Sequence, residues 1–224
     1  MEDIVKKFEH LYQVISNKEF LGMESLGGEI PFFIAAFDPK QQIEVDRAIH
    51  SLKNKLETNG IPVLELNLYD ISLELLNDEL GEGEIFELEK NMDKTEFKEA
   101  LQSILDINEV LVPKIKSQID ASSAKVYFLT GIGLVFPYLR SHNILNNLQN
   151  VAKEAPTVAF FAGEYNGYSL ELFGLMKDDN YYRAFNIANY KLKKCFSKNS
   201  LQKTLTVPSR RLSKQTTKNM FWMK

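Results

Sequence analysis

A short apolar run, Lys125 to Thr130, gives way to Gly131-Ile132-Gly133. Two glycines at that spacing after a strand would let successive backbone N–H groups turn toward an anion, the device by which phosphate loops and helix N-termini hold phosphate. The surrounding residues supply neither G-x-G-x-x-G nor the Lys-Ser/Thr ending of a phosphate loop, so a tight strand-to-helix turn competes with the anion-binding reading. Another apolar run ends at Asp38 and continues Pro39-Lys40-Gln41-Gln42, without a glycine or a Walker lysine. A working NTPase is therefore not expected, and Lys40 reads as a solvated side chain. In open parallel sheets ligands bind beyond the carboxyl ends of the strands, which collects Asp38, Asp70, Thr130 to Gly133 and Gly163-Glu164 on one rim.

Other chemistries find less support. His10, His50 and His142 are isolated, with no H-x-H or H-E-x-x-H spacing for a metal. No G-x-S-x-G elbow occurs, and Ser169 in NGYSLELFG merely starts a possible strand. No catalytic residue, metal ligand or cofactor is expected, and binding is a better expectation than catalysis. Two segments set polar groups beside apolar anchors: Tyr138 to Asn143, which holds Arg140, His142 and Asn143, and Lys177 to Arg183, which holds Asp178, Asp179, Asn180, Tyr181 and Tyr182. Tyrosine and arginine carry much of the energy in protein contacts, which makes both segments candidate partner-binding surfaces. The alternative for the second is a helical Asp179–Arg183 pair four residues apart, contributing only about 0.2–0.5 kcal/mol.

The elements that would position these residues follow from periodicity. Ile4, Phe8, Leu11 and Ile15 share one helical face. After Gly27-Gly28, Ile30 to Phe37 is a continuous apolar run, the mark of a strand covered on both faces. Asp38-Pro39 then starts a helix whose buried face is Val45, Ile49, Leu52 and Leu56. Leu64, Leu66 and Leu68 alternate with polar residues, as in a half-exposed strand near a sheet edge. A short helix from about Ser72 to Leu80 is followed by an acidic linker through about Asn91, and Asp93 with Glu96 resembles a capping box. Pro113 should kink or end the helix that follows. KVYFLT (125–130) and TVAFFA (157–162) read as central strands around a helix from near Pro137 to about Asn150. Leu170 to Gly174 is a possible short strand, and Asp179 to Tyr190 a closing helix. Strands alternating with helices predict an α/β fold: a mostly parallel sheet flanked by helices, three-layered and Rossmann-like or P-loop-like, without a Walker motif.

Composition sets the limits. The 224 residues, 44% hydrophobic and 25% charged, fit one globular core. Residues 191–224 hold ten Lys or Arg and no acid, which leaves 17 bases against 30 acids in the remainder. The expected organisation is a single α/β domain over 1–190 with a basic tail over 191–224. That tail is either a solvated terminus or a contact for DNA or an acidic partner. The lone Cys195 excludes an internal disulfide and suits a reducing compartment. No signal peptide is expected from MEDIVKKFEHLYQVI, and no apolar run approaches the roughly 20 residues that span a bilayer. A cytoplasmic protein without a membrane contact is the expectation.

Four stretches carry a family resemblance: GGEIPFFI (27–34), NLYDI (67–71), FLTGIGLVFPYLRSHNILNNL (128–148) and GEYNGYSLELFGLMKDDNYYRAF (163–185). Together they resemble the BrxB family, the small component of BREX, a bacterial and archaeal system that restricts phage and marks host DNA by methylation. The resemblance runs from about residue 20 to about residue 190 and leaves the basic tail outside it. It implies a place in an assembly with an AAA-type ATPase, an adenine-specific DNA methyltransferase and an alkaline-phosphatase-like PglZ protein. It implies no catalytic residues, so an adaptor is the expected role. A DNA-binding accessory subunit using the tail and a degenerate nucleotide-binding domain using Gly131 and Gly133 are the alternatives.

Overall fold

The computed structural model describes residues 3–24, 31–177 and 182–190, all within one compact unit, Met1–Leu192. The tail from residue 191 and the Asp178 to Tyr181 segment lie outside the described residues.

Seven strands form the sheet: β1 (Phe32–Phe37), β2 (Val63–Asn67), β3 (Val126–Thr130), β4 (Thr157–Tyr165), β5 (Leu170–Leu172), β6 (Met176–Lys177) and β7 (Phe185–Asn186). The order β2-β3-β4-β1-β7 is parallel throughout, while β4 pairs antiparallel with β5 and β5 with β6. The alternation of side chains along a strand explains the continuous apolar runs. In β1, Phe33, Ala35 and Phe37 enter one core while Phe32 and Ile34 enter the other. β3 and β4 divide the same way, with Phe128 and Phe160 on one face and Leu129 and Phe161 on the opposite one.

Helices cover both faces. α1 (Ile4–Ile15) and α3 (Gln42–Thr58) pack on the Phe33 face through Leu11, Val14, Ile15, Val45, Ile49, Leu52 and Leu56, and α2 (Lys18–Leu21) adds Phe20. α4 (Leu68–Leu80), α5 (Glu84–Asn91), α6 (Lys94–Ile104), α7 (Val112–Asp120) and α8 (Ser141–Val151) lie on the Phe32 face. The chain is therefore a three-layer α/β protein, and β2 stands at the sheet edge as its half-exposed pattern predicts. The capping box at Asp93 and Glu96 opens α6. Pro113 sits in the first turn of α7, where its missing N–H is tolerated, after a π-helical turn over Ile107–Leu111.

Three local expectations are corrected. The acidic stretch after Gly81 is helical over Glu84–Asn91: Glu84 and Glu87 lie near its N-terminus, Lys90 in its last turn, and Ile85 packs against the core. The helix before β4 begins at Ser141 and not near Pro137, because residues 131–139 form a turn-rich connection with a cis Phe136–Pro137 bond. Tyr182 to Tyr190 holds no α-helix. Phe185 and Asn186 pair with Phe33 and Ile34 at the free edge of β1, and the Asn186 side chain then caps a 3-10 turn over Ile187–Asn189. Satisfying an exposed strand edge outweighs the weak helical periodicity of that segment.

Candidate interaction surface

The carboxyl ends of β1, β2, β3 and β4 share one rim, as the parallel order requires. Asp38 leaves β1 and accepts a bond from the Lys40 backbone N–H at 3.0 Å, so it caps the turn into α3. Asp70 lies exposed in the first turn of α4, and its backbone N–H, like that of Tyr69, donates to the Asn67 side-chain oxygen that caps the helix. Two strands, β3 and β4, separate β1 from β2, which sets the strands that lead to Asp38 and Asp70 roughly 14 Å apart at ordinary strand spacing. The rim does not bring these two carboxylates together.

Gly131 has φ +73, and a Cβ there would stand 2.4 Å from Asn67 Oδ1, the atom that caps α4. A Cβ on Gly133 would meet the Phe173 ring at 3.0 Å. Packing accounts for both glycines: one lets the chain turn against a helix cap, the other seats an aromatic ring. Between them and β1 the crevice lined by Phe37, Thr130 and Gly131 to Leu134 leaves about 10 Å³, no more than a single water needs. The chain's own side chains occupy the place where this fold class would hold a ligand.

Beyond the rim, the turn-rich connection delivers Arg140, His142 and Asn143 to the start of α8. Arg140 and Asn143 are exposed and His142 half-buried. A pocket of about 460 Å³ opens there, lined by Phe136, Arg140, Ser141 and His142 on one side and Leu172, Leu175, Met176 and Lys177 on the other. The β5–β6 turn reaches this position because β4 runs on past its pairing with β1, and its last residues, Gly163 to Tyr165, pair antiparallel with β5; a Cβ on Gly163 would collide with the Glu171 carbonyl oxygen. Tyr138, in the same connection, is held neutral: burial, and then the neighbouring Tyr69, push its phenol up to about 12. It can donate a hydrogen bond but is no base at neutral pH.

Tyr182 and Arg183 separate. Tyr182 is only 1% exposed and belongs to the core, which removes it from any surface. Arg183 is exposed, and its carbonyl accepts a bond from the Gln149 side-chain amide at 3.1 Å. Gln149 lies seven residues after His142 on α8, so Arg183 and the Arg140–His142 pair flank one helix about 10 Å apart along its axis. Asp178, Asp179, Asn180 and Tyr181, the other candidates, lie outside the described residues. Sequence reasoning placed Lys177 at the start of the second candidate segment but missed Phe136 and Leu175 as a pocket lining, because the β5–β6 hairpin opposite Phe136 is built on a pairing with the end of β4 that no local pattern shows. Among the described residues no group of three or more His, Cys, Asp or Glu side chains could hold a metal ion, and no helix is long and apolar enough to cross a membrane.

Fold and rim define a three-layer α/β protein whose sheet crevice is closed and beside which a pocket opens at the start of α8. The family model for BREX protein BrxB matches residues 64–187. A BREX protein BrxB of Bacillus cereus (strain H3081.97) is 36% identical over 197 residues, spanning 84% of this chain and 98% of that protein. One from Escherichia coli O9:H4 (strain HS) is 27% identical over 173 residues, 77% of this chain and 86% of its own length. No solved structure matches. The chain belongs to the BrxB family and is a component of a BREX system.

Proposed function

We propose that this protein is a non-catalytic adaptor of a phage-restricting BREX system, in the cytoplasm, which holds other BREX proteins through the surface along α8. The observation that carries the reading is the contrast at the carboxyl end of the sheet: the crevice between the β1 and β3 connections is filled, while an open pocket lies beside it at Arg140 and His142. A domain of this class whose ligand crevice is filled but which presents exposed arginines is suited to protein contact. The surface comprises Arg140, His142, Asn143 and Arg183, with the Asp178 to Tyr181 segment as its continuation in sequence. Candidate partners are the PglZ protein, the AAA-type ATPase and the DNA methyltransferase. The test is co-purification of the full chain, and of the chain ending at residue 190, with each tagged partner in the absence of DNA. Capture of one partner by both forms supports the adaptor; failure of both refutes it.

A second reading rests on the charge split, ten bases and no acid after residue 190. In it the tail contacts DNA, and the affinity falls steeply with salt and disappears on deleting 191–224. Salt-insensitive binding would exclude it.

A further inference from the structure

α1 and α3 lie side by side on the Phe33 face of the sheet and run in the same direction. Val5 stands beside Ala48 and Ser51; further along, Glu9 meets Lys55 in an ion pair at 2.9 Å, and the same ammonium sits 3.7 Å from the centre of the Tyr12 ring. The groove between the helices is open along its length. Two cavities, of about 880 and about 240 Å³, share Ile4, Val5, Ala48 and Ser51 in their lining and so join end to end. The floor is apolar, formed by Phe8, Ala48 and Leu52, and Phe8 is fixed from below by stacking on Phe160 of β4 with ring centroids 6.1 Å apart. Val5 stands on the α1 flank at 79% exposure, an apolar knob that the chain's own fold leaves uncovered. Four of the residues that line the two cavities are acidic and three are basic. That is a near balance on a domain whose residues 1–190 hold 17 bases against 30 acids.

We propose that this groove is the contact between two copies of the protein, related by a two-fold axis that runs along it. Such an axis lays α1 of each copy on α3 of the other and preserves the direction of the helices, so the levels found within one chain recur across the interface. Val5 of each copy then seats on Ala48 and Ser51 of the other, where small side chains leave room. Glu9, on the α1 flank, comes over Lys55 of the second copy's α3 flank, and the two ion pairs close into a ring of four alternating charges. Knob and hollow, acid and base, belong to one patch that complements itself, as an isologous contact requires. A polycation or a polyanion finds no excess of opposite charge here, and the net charge of −3 on the full chain opposes self-association only weakly. The face is about 18 Å long, the length of α1, and two helix diameters wide, roughly half the area per partner of a standard interface, so the dimer dissociates in the micromolar range. The inference is independent of the adaptor reading. Because α8 lies on the opposite face of the sheet, a dimer would carry two α8 surfaces, each remote from the contact.

Sedimentation velocity of the full chain between about 1 and about 300 µM should show a monomer–dimer equilibrium. V5D should weaken it about tenfold or more. E9K and K55E should each weaken it as well, and because each of them makes the two flanks alike in charge, an equimolar mixture of the two variants should associate more strongly than either alone. Melting temperatures should stay near wild type for all three, since Val5, Glu9 and Lys55 are exposed. K116E, on α7 at the opposite face of the sheet, should dimerise as wild type. A monomer throughout the range, dimerisation of V5D equal to wild type, or a mixture no stronger than its components overturns the proposal. So does capture of a tagged BREX protein that V5D abolishes while the wild-type chain alone stays monomeric, which would assign the groove to a different protein.

Discussion

Gln149 donates its side-chain amide to the backbone carbonyl of Arg183 at 3.1 Å, from a position only 6% exposed. Together with the Tyr165 hydroxyl, which donates to the Ala184 carbonyl at 2.7 Å, it holds the 182–184 segment against α8 and β4. Both contacts use the backbone of the segment, so the Arg183 side chain remains at the surface.

Substitutions along this segment should separate by mechanism. Tyr182→Ala removes a fully buried aromatic and should cost about 3–5 kcal/mol, whereas Arg183→Ala keeps the carbonyl and should change stability by less than about 0.5 kcal/mol. Gln149→Ala strands a carbonyl and should cost about 1–2 kcal/mol. Urea unfolding monitored by circular dichroism reads all three. Partner capture lost by Arg183→Ala at unchanged stability would identify a contact; loss by Tyr182→Ala alone would reflect unfolding.

Gly131→Ala and Gly60→Ala compare two glycines with nearly equal φ, +73 and +75. Only Gly131 meets neighbours, Asn67 Oδ1 at 2.4 Å and the Tyr69 backbone nitrogen at 3.1 Å, while nothing lies within 4 Å of a Cβ on Gly60. Both variants bear the strain of positive φ, about 1–2 kcal/mol, and Gly131→Ala should lose measurably more. Because the adjoining crevice is filled, millimolar nucleotide should leave the wild-type melting temperature unchanged; a clear rise would revive a nucleotide site at Gly131 and Gly133.

Tyr138 predicts an alkaline limb to stability. Its folded phenol is raised by burial to about 12, above the value of 10.0 for the free group. The folded state therefore keeps a proton that the unfolded chain loses, and the contribution, complete below pH 10, should decline as pH rises from 10 toward 12. Tyr138→Phe has no such proton, so its stability curve should fall less steeply in that window. Identical slopes for the two proteins in denaturant titrations would contradict the assignment.

Asp93 accepts from the Thr95 and Glu96 backbone N–H groups, and Glu96 returns the bond to the Asp93 N–H. Asp93→Ala should cost about 1 kcal/mol and show first as faster hydrogen exchange at the start of α6. Exchange rates unchanged throughout α6 would argue against a stabilising role for the box.

The central sheet was legible because β1, β3 and β4 are buried on both faces and advertise it as unbroken apolar runs, and because Asp93–Glu96 and Asp38–Pro39 are local devices with fixed spacing. Two of the misreadings share one cause. Phe185 and Asn186 are extended because β1 offers them a free edge, and α5 is helical because Ile85 finds the core; neither partner is near in sequence. The candidate surface followed the same divide. Arg140, His142 and Asn143 were visible as a polar stretch beside apolar anchors, whereas Leu175 and Lys177 joined them only through the fold of the β5–β6 turn, and Tyr182 left them by entering the core.

The change of partner at Gly163, from β1 to β5, makes β4 a shared beam. Its first half is clamped between β1 and β3, and its second half carries the β5–β6 hairpin with Leu175 at the tip. A short loop, residues 166–169, links β4 to β5, and the ladder from Gly163 to Tyr165 ties the hairpin back to the strand. A load on that hairpin would pass through β4 into the rows of backbone hydrogen bonds that it shares with β1 and β3, which resist shear together.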